Sequence, residues 1–86
     1  MSDVKYKLTG RQLAAGRILA GLGTRELGVM SRTSAVTVTR LESMDVIETG
    51  DEYHSPVRRV TLDKIIGALS ECGVRLCTEH RGVHLA

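Results

Sequence analysis

The chain has no tryptophan and no phenylalanine among its 86 residues, and its only aromatic rings of this class are Tyr6 and Tyr53. A platform for single-stranded nucleic acid needs successive aromatic faces, so that function is excluded. The same scarcity argues against a broad sheet sandwich and for a compact helical core built from Leu, Val, Ile and Ala. Long apolar runs are also missing. Nothing approaches the ~20 residues needed to cross a bilayer, and no leader pattern opens the chain. A cytoplasmic location with no membrane partner is the expectation.

Cysteine is scarce too. Cys72 and Cys77 stand with His80 and His84 as C-x4-C-x2-H-x3-H. Zinc fingers leave about twelve residues between the two ligand pairs, enough for a hairpin and a helix to wrap the ion. Here the spacer is two residues, so isolated thiols and surface histidines are expected, with no metal and no cofactor. A disulfide is not expected in a reducing compartment. The histidines, cysteines and carboxylates form no nucleophile–base pattern, and the nine glycines are scattered rather than gathered into a phosphate-cradling loop. An enzyme is therefore not expected.

What is present is one small domain with an uneven charge distribution. Net charge is +2 overall, but residues 1–42 carry +4 and residues 43–86 carry −2. That bias fits a polyanion-binding face on the first half, and fits an ordinary solvated surface about as well. Residues 1–7 read as a polar arm. Thr9 and Gln12 match a capping box that opens a helix over Arg11–Ala20, and Gly21 supplies a left-handed stop. A second short helix follows Gly23-Thr24, from Arg25 to about Ser31, with Leu27 and Met30 facing inward. Over 43–60, Gly50-Asp51 and Pro56 signal turns, and Met44, Val46 and Ile47 form a small apolar plug. Thr61 caps a further helix in which Leu62, Ile65, Ile66 and Leu69 follow the i, i+3, i+4, i+7 pattern, and Gly73 ends it. Val74/Leu76 and Val83/Leu85 then suggest a β-hairpin around Thr78–Arg81, too small to stand alone.

The stretch Ser31–Glu42, SRTSAVTVTRLE, supports two structures. Val36, Thr37, Val38 and Thr39 are all β-branched and alternate as a half-buried strand does. A strand, however, would send Leu41 to solvent and draw Arg40 inward. A helix capped by Ser34 buries Val38 and Leu41 together and frees Ala35, Val36, Thr37 and Arg40 for another face. The helix is preferred, and two helices joined by a three- or four-residue turn make a helix-turn-helix.

Leu13-x3-Arg17-Ile18-Leu19-x-Gly21-Leu22, then Thr24-Arg25-Glu26-Leu27, then Ser34-x3-Val38-Thr39-Arg40-Leu41-Glu42 resembles the Cro/CI-type (XRE) helix-turn-helix family. The likeness covers residues 8–42, and Pro56 with Thr61-Leu62-x2-Ile65-x3-Leu69 resembles that family's closing helix. It implies a mainly α fold, a compact bundle of four to five helices with a short C-terminal β-hairpin. Residues 1–73 would form the helix-turn-helix domain and 74–86 the hairpin, a possible dimerisation element. It places Thr24, Arg25, Ser34, Ala35, Val36, Thr37, Thr39 and Arg40 at DNA. Thr24 and Ser34 would meet phosphates, and Ala35, Val36, Thr37 and Arg40 would meet base edges. Arg40 can donate twice to guanine, while Val36 and the Thr37 methyl can pack on a thymine methyl. Arg17 and Glu42 would pair inside the fold. Arg32 stands where the family's turn has glycine, so the backbone must either accept strain or reshape the turn.

The function implied is a sequence-specific double-stranded DNA-binding transcriptional regulator, a repressor in the simplest case, acting as a homodimer on a two-fold symmetric operator. The loop after Glu42 is long for the family and carries Asp45, Glu48, Asp51 and Glu52. It would point away from DNA or meet a protein partner through residues 43–58. The alternative function is therefore a protein-binding module on the same fold, an antitoxin or anti-activator.

Overall fold

The computed structural model describes residues 8–50, 57–77 and 82–85, and four helices carry most of them. They are α1 (Gly10–Leu19), α2 (Thr24–Met30), α3 (Ala35–Glu42) and α4 (Arg59–Glu71). Two short pairs of strands complete the order: β1 (Thr49–Gly50) with β2 (Val57–Arg58), and β3 (Val74–Cys77) with β4 (Gly82–Leu85). The expected polar arm at 1–7, the turn signals at Asp51 and Pro56, and the hairpin turn Thr78–Arg81 with His80 lie outside the described residues.

The local signals act much as their chemistry requires. Gln12 N–H donates to Thr9 Oγ1 at 3.1 Å while Thr9 N–H donates to Gln12 Oε1 at 2.9 Å, so two otherwise orphaned amides at the start of α1 are satisfied reciprocally. After α1 the chain turns at Gly21, whose φ of 74° is costly for a residue with a Cβ. The four helices then close over one core containing Leu13, Leu27, Val38, Leu41, Leu62, Ile65 and Leu69, each fully buried.

Two connections escape any periodicity argument. Leu8 and Ile47 form an antiparallel bridge, with Ile47 N–H donating to the Leu8 carbonyl at 2.7 Å and Gly10 N–H to the Met44 carbonyl at 2.9 Å. The entry to α1 is thereby tied to the exit from α3, and Leu8 and Ile47 join the core. The second is the parallel pairing of β1 with β2, Thr49 opposite Val57 and Gly50 opposite Arg58. Strands of two residues are too short to show alternation.

Three expectations need correction. Met30 is 43% exposed rather than inward, because α2 turns only Leu27 and Gly28 to its neighbours. Val46 is exposed too: the plug consists of Ile47, with Met44 partly buried against it. Thr61 is not a cap. The strand β2 runs straight into α4, Arg58 occupies the cap position without a side-chain bond, and Thr61 lies in the first turn.

The C-terminal pairing has the expected register, Val74 opposite Leu85 and Leu76 opposite Val83. Val74 is a core residue and Leu76 packs against the core, so β3 is held by α1 and α4. Gly16 faces this strand. A Cβ built there would meet Leu76 Cδ2 at 2.6 Å, the far end of a flexible side chain, and only ordinary contacts otherwise. Leu76 can swing aside, whereas a mid-helix glycine costs α1 about 1 kcal/mol relative to alanine. Gly16→Ala is expected to raise stability by about 0.5 kcal/mol, measured as the midpoint of urea unfolding.

Candidate nucleic-acid interface

The helices α2 and α3 are joined by the four residues Ser31–Ser34, which form a closed turn. Arg32 N–H donates to the Val29 carbonyl at 3.1 Å and Thr33 N–H to the Gly28 carbonyl at 2.8 Å. This paired arrangement is a Schellman motif, with the residue after the cap in the left-handed region. That residue is Arg32, at φ 59°, the one non-glycine positive φ among the described residues. Of the two alternatives open from the sequence, the backbone accepts the strain. Ser31 helps to hold it: buried, it donates Oγ–H to the Leu27 carbonyl at 2.7 Å and lies 2.8 Å from Thr33 Oγ1.

Ser34 then caps α3, its Oγ accepting from Thr37 N–H at 3.1 Å and donating to Thr37 Oγ1 at 3.0 Å. The cap overrides the β-propensity of Val36–Thr39, because burial of Val38 and Leu41 depends on the helical period. The two helices approach very closely. A Cβ on Gly28 would stand 2.6 Å from the Ser34 carbonyl carbon and 2.8 Å from the Ala35 nitrogen.

The far end of α3 is anchored to α1 by Arg17 and Glu42. Arg17 Nε donates to Glu42 Oε2 at 2.6 Å and Nη2 to Oε1 at 3.1 Å, while Nη1 donates to the Leu22 carbonyl at 2.9 Å. The fork holds a helix end and the α1–α2 turn with one guanidinium. The bond to Glu42 raises the Arg17 pKa above its ordinary value, against a smaller opposing effect of burial.

With both ends fixed, α3 presents a defined outward face. At about 100° per residue, Val36 and Arg40 lie near its centre, opposite Val38 and Leu41, with Thr37 and Thr39 on the two flanks. Exposure follows this geometry. Val36 is 78% exposed and Ser34, Thr39 and Arg40 are exposed, whereas Ala35 and Thr37 are half-buried. Thr24 opens α2, half-buried, and Arg25 beside it is exposed. So Ala35, Val36, Thr37, Thr39 and Arg40 share one helix with Ser34 as its cap, and Thr24 and Arg25 lie at the start of its partner.

Chemically the face offers an apolar contact, hydroxyls and a guanidinium. No Asn, Gln, Asp or Glu occurs between Ser34 and Arg40. The nearest carboxylates have other work: Glu42 holds Arg17, and Glu26 Oε1 accepts from Gly23 N–H at 2.9 Å. That role of Glu26 was absent from the sequence-derived set, though a small residue three positions before a glutamate is the signal for it. Among the described residues no group of three or more His, Cys, Asp and Glu side chains is placed to hold a metal ion, and no helix is long and apolar enough to cross a membrane. The chain matches no protein-family model, and no curated protein matches it.

Proposed function

We propose that this chain is a sequence-specific double-stranded DNA-binding transcriptional regulator of the Cro/CI helix-turn-helix type, acting as a homodimer on a two-fold symmetric operator. The observation that carries this reading is the outward face of α3. It is anchored at both ends, free of acidic side chains, and centred on Val36 and Arg40. A major groove admits one α-helix, and a guanidinium on it can donate twice to guanine O6 and N7. Val36 is stiff at χ1 and ready to pack on a thymine methyl. In a dimer, two such helices about 34 Å apart would enter successive major grooves. Repression by occlusion of a promoter needs no further domain.

The test is fluorescence anisotropy against the DNA flanking the gene, at two salt concentrations, with sedimentation equilibrium to establish the dimer. Site-selective, salt-sensitive binding is expected. Arg40→Ala is expected to weaken it about tenfold or more, with a melting temperature within a few degrees of the parent. Site-selective binding that Arg40→Ala leaves unchanged would remove Arg40 from the interface.

A second reading has its own support. Asp45, Val46 and Glu48 are exposed on the loop after α3, an acidic surface with an apolar member. A protein-binding module would use this loop, and its binding to one protein partner would outlast salt concentrations that abolish phosphate contacts.

A further inference from the structure

We infer that Arg32 is a phosphate-contacting residue, and that its strained backbone persists because the exposed guanidinium serves that contact. The inference rests on the DNA-binding reading above. The left-handed region is unfavourable for any residue with a Cβ, and the position after a helix cap in this motif is one where glycine is strongly enriched. A strained residue persists where its surroundings over-determine it, and such residues cluster at functional sites. Here two backbone bonds close the turn, from Arg32 to Val29 and from Thr33 to Gly28, and the Ser31–Thr33 hydroxyl contact reinforces them.

The side chain contributes nothing to that closure. Arg32 is exposed and its guanidinium has no hydrogen bond or ion pair among the described residues. Glycine would make the same turn without strain, and no polar contact of the arginine side chain among the described residues offsets that strain. The position of the side chain suits a role outside the fold. Arg32 is two residues from Ser34, within about 7 Å along the chain, and a guanidinium carries five donors suited to a phosphate. With Arg25 and Arg40 it makes three exposed guanidiniums on the helix-turn-helix. The ligand is the phosphate backbone, so the contact adds affinity on any sequence.

The experiment uses the full chain and a mixed-sequence DNA duplex, with binding followed by anisotropy over a salt series and melting followed in parallel. Arg32→Gly is expected to raise the melting temperature by about 4–8 °C. The same variant is expected to weaken low-salt binding about tenfold or more and to shrink the slope of log Kobs against log salt by about 0.9 per chain, about 1.8 for a bound dimer. Arg32→Ala, which keeps the Cβ and loses the charge, should show the binding loss without the thermal gain. Arg32→Lys should keep the slope. A more stable Arg32→Gly with unchanged affinity and slope would overturn the inference and leave the DNA-binding reading standing. A lower melting temperature in Arg32→Gly would overturn the strain argument. Absence of salt-sensitive binding by the parent chain would remove both.

Discussion

Replacing Glu42 with alanine is expected to destabilise the domain by about 2–3 kcal/mol and to lower its melting temperature by about 10–20 °C. The side chains of Arg17 and Glu42 are only 17% and 13% exposed, and they meet through two hydrogen bonds in a fork. Removing the carboxylate leaves a largely buried guanidinium with the Leu22 carbonyl as its remaining partner in this cluster. Breaking a fully buried pair costs about 3–5 kcal/mol, because the surviving charge is stranded. Partial access to water brings the figure down here, as it does for exposed pairs. Against a total of roughly 5–10 kcal/mol for a small domain, the loss would be conspicuous. Thermal melts of Glu42→Ala, Arg17→Met and the double variant would check it. The double variant should cost less than the sum of the singles, since it leaves no stranded charge. Equal melting temperatures for Glu42→Ala and the parent would contradict the role given to the pair. Alkali is not expected to dissolve it. A raised folded-state pKa adds stability that is complete below the unfolded value and is lost only as pH rises through the folded one. For Arg17 even the unfolded value lies beyond ordinary alkaline conditions.

Arg17 and Glu42 were legible before the structure only through family resemblance, since nothing in the spacing of residues 25 apart predicts contact. Elements with a repeating pattern or a cap were legible from the residues themselves. Thr9 with Gln12, Gly21, Ser34, and the Leu62–Leu69 stripe each carry a local physical cause, and α1, α3 and α4 follow them. Helix α2 carries less signal. Seven residues give barely two turns, so Met30 could be assigned inward on spacing alone and proves exposed. The Leu8–Ile47 bridge joins segments distant in sequence and the β1–β2 pair joins neighbouring ones, each through only one or two residues, below the length at which any period can be counted. Thr61 misled because a hydroxyl before an apolar stripe is a cap signal, while the preceding strand had already set the entry to α4. For the candidate interface, the helical period sets Ala35, Val36, Thr37 and Arg40 on a face apart from Val38 and Leu41; Val36 and Arg40 are exposed there, while Ala35 and Thr37 are half-buried. The Arg17–Glu42 anchor of α3 is implied by the resemblance, whereas the backbone contact at Gly28 that fixes its other end depends on tertiary packing.

Gly28→Val is therefore expected to be as disruptive as the loss of Glu42, and by a different route. The atoms that a Cβ would meet, the Ser34 carbonyl carbon and the Ala35 nitrogen, belong to the backbone at the start of α3. A side-chain end could rotate away, as Leu76 can for Gly16, but backbone atoms move only if the helix moves. Overpacking of this kind costs typically 1–3 kcal/mol, and valine adds two further carbons beyond the Cβ. About 3 kcal/mol is expected for Gly28→Val. Gly28→Ala should cost less, because alanine recovers about 1 kcal/mol of helix propensity in α2. The two helices must separate or tilt to admit either side chain, so the outward face of α3 shifts relative to Thr24 and Arg25. If that surface reads DNA, site-selective binding should fall in Gly28→Ala by more than its loss of folded protein accounts for. Comparing affinity with the fraction folded, both at one temperature well below melting, separates the two effects. A Gly28→Ala variant with undiminished site-selective affinity would mean that the close packing of α2 on α3 serves stability and not the placement of the outward face of α3.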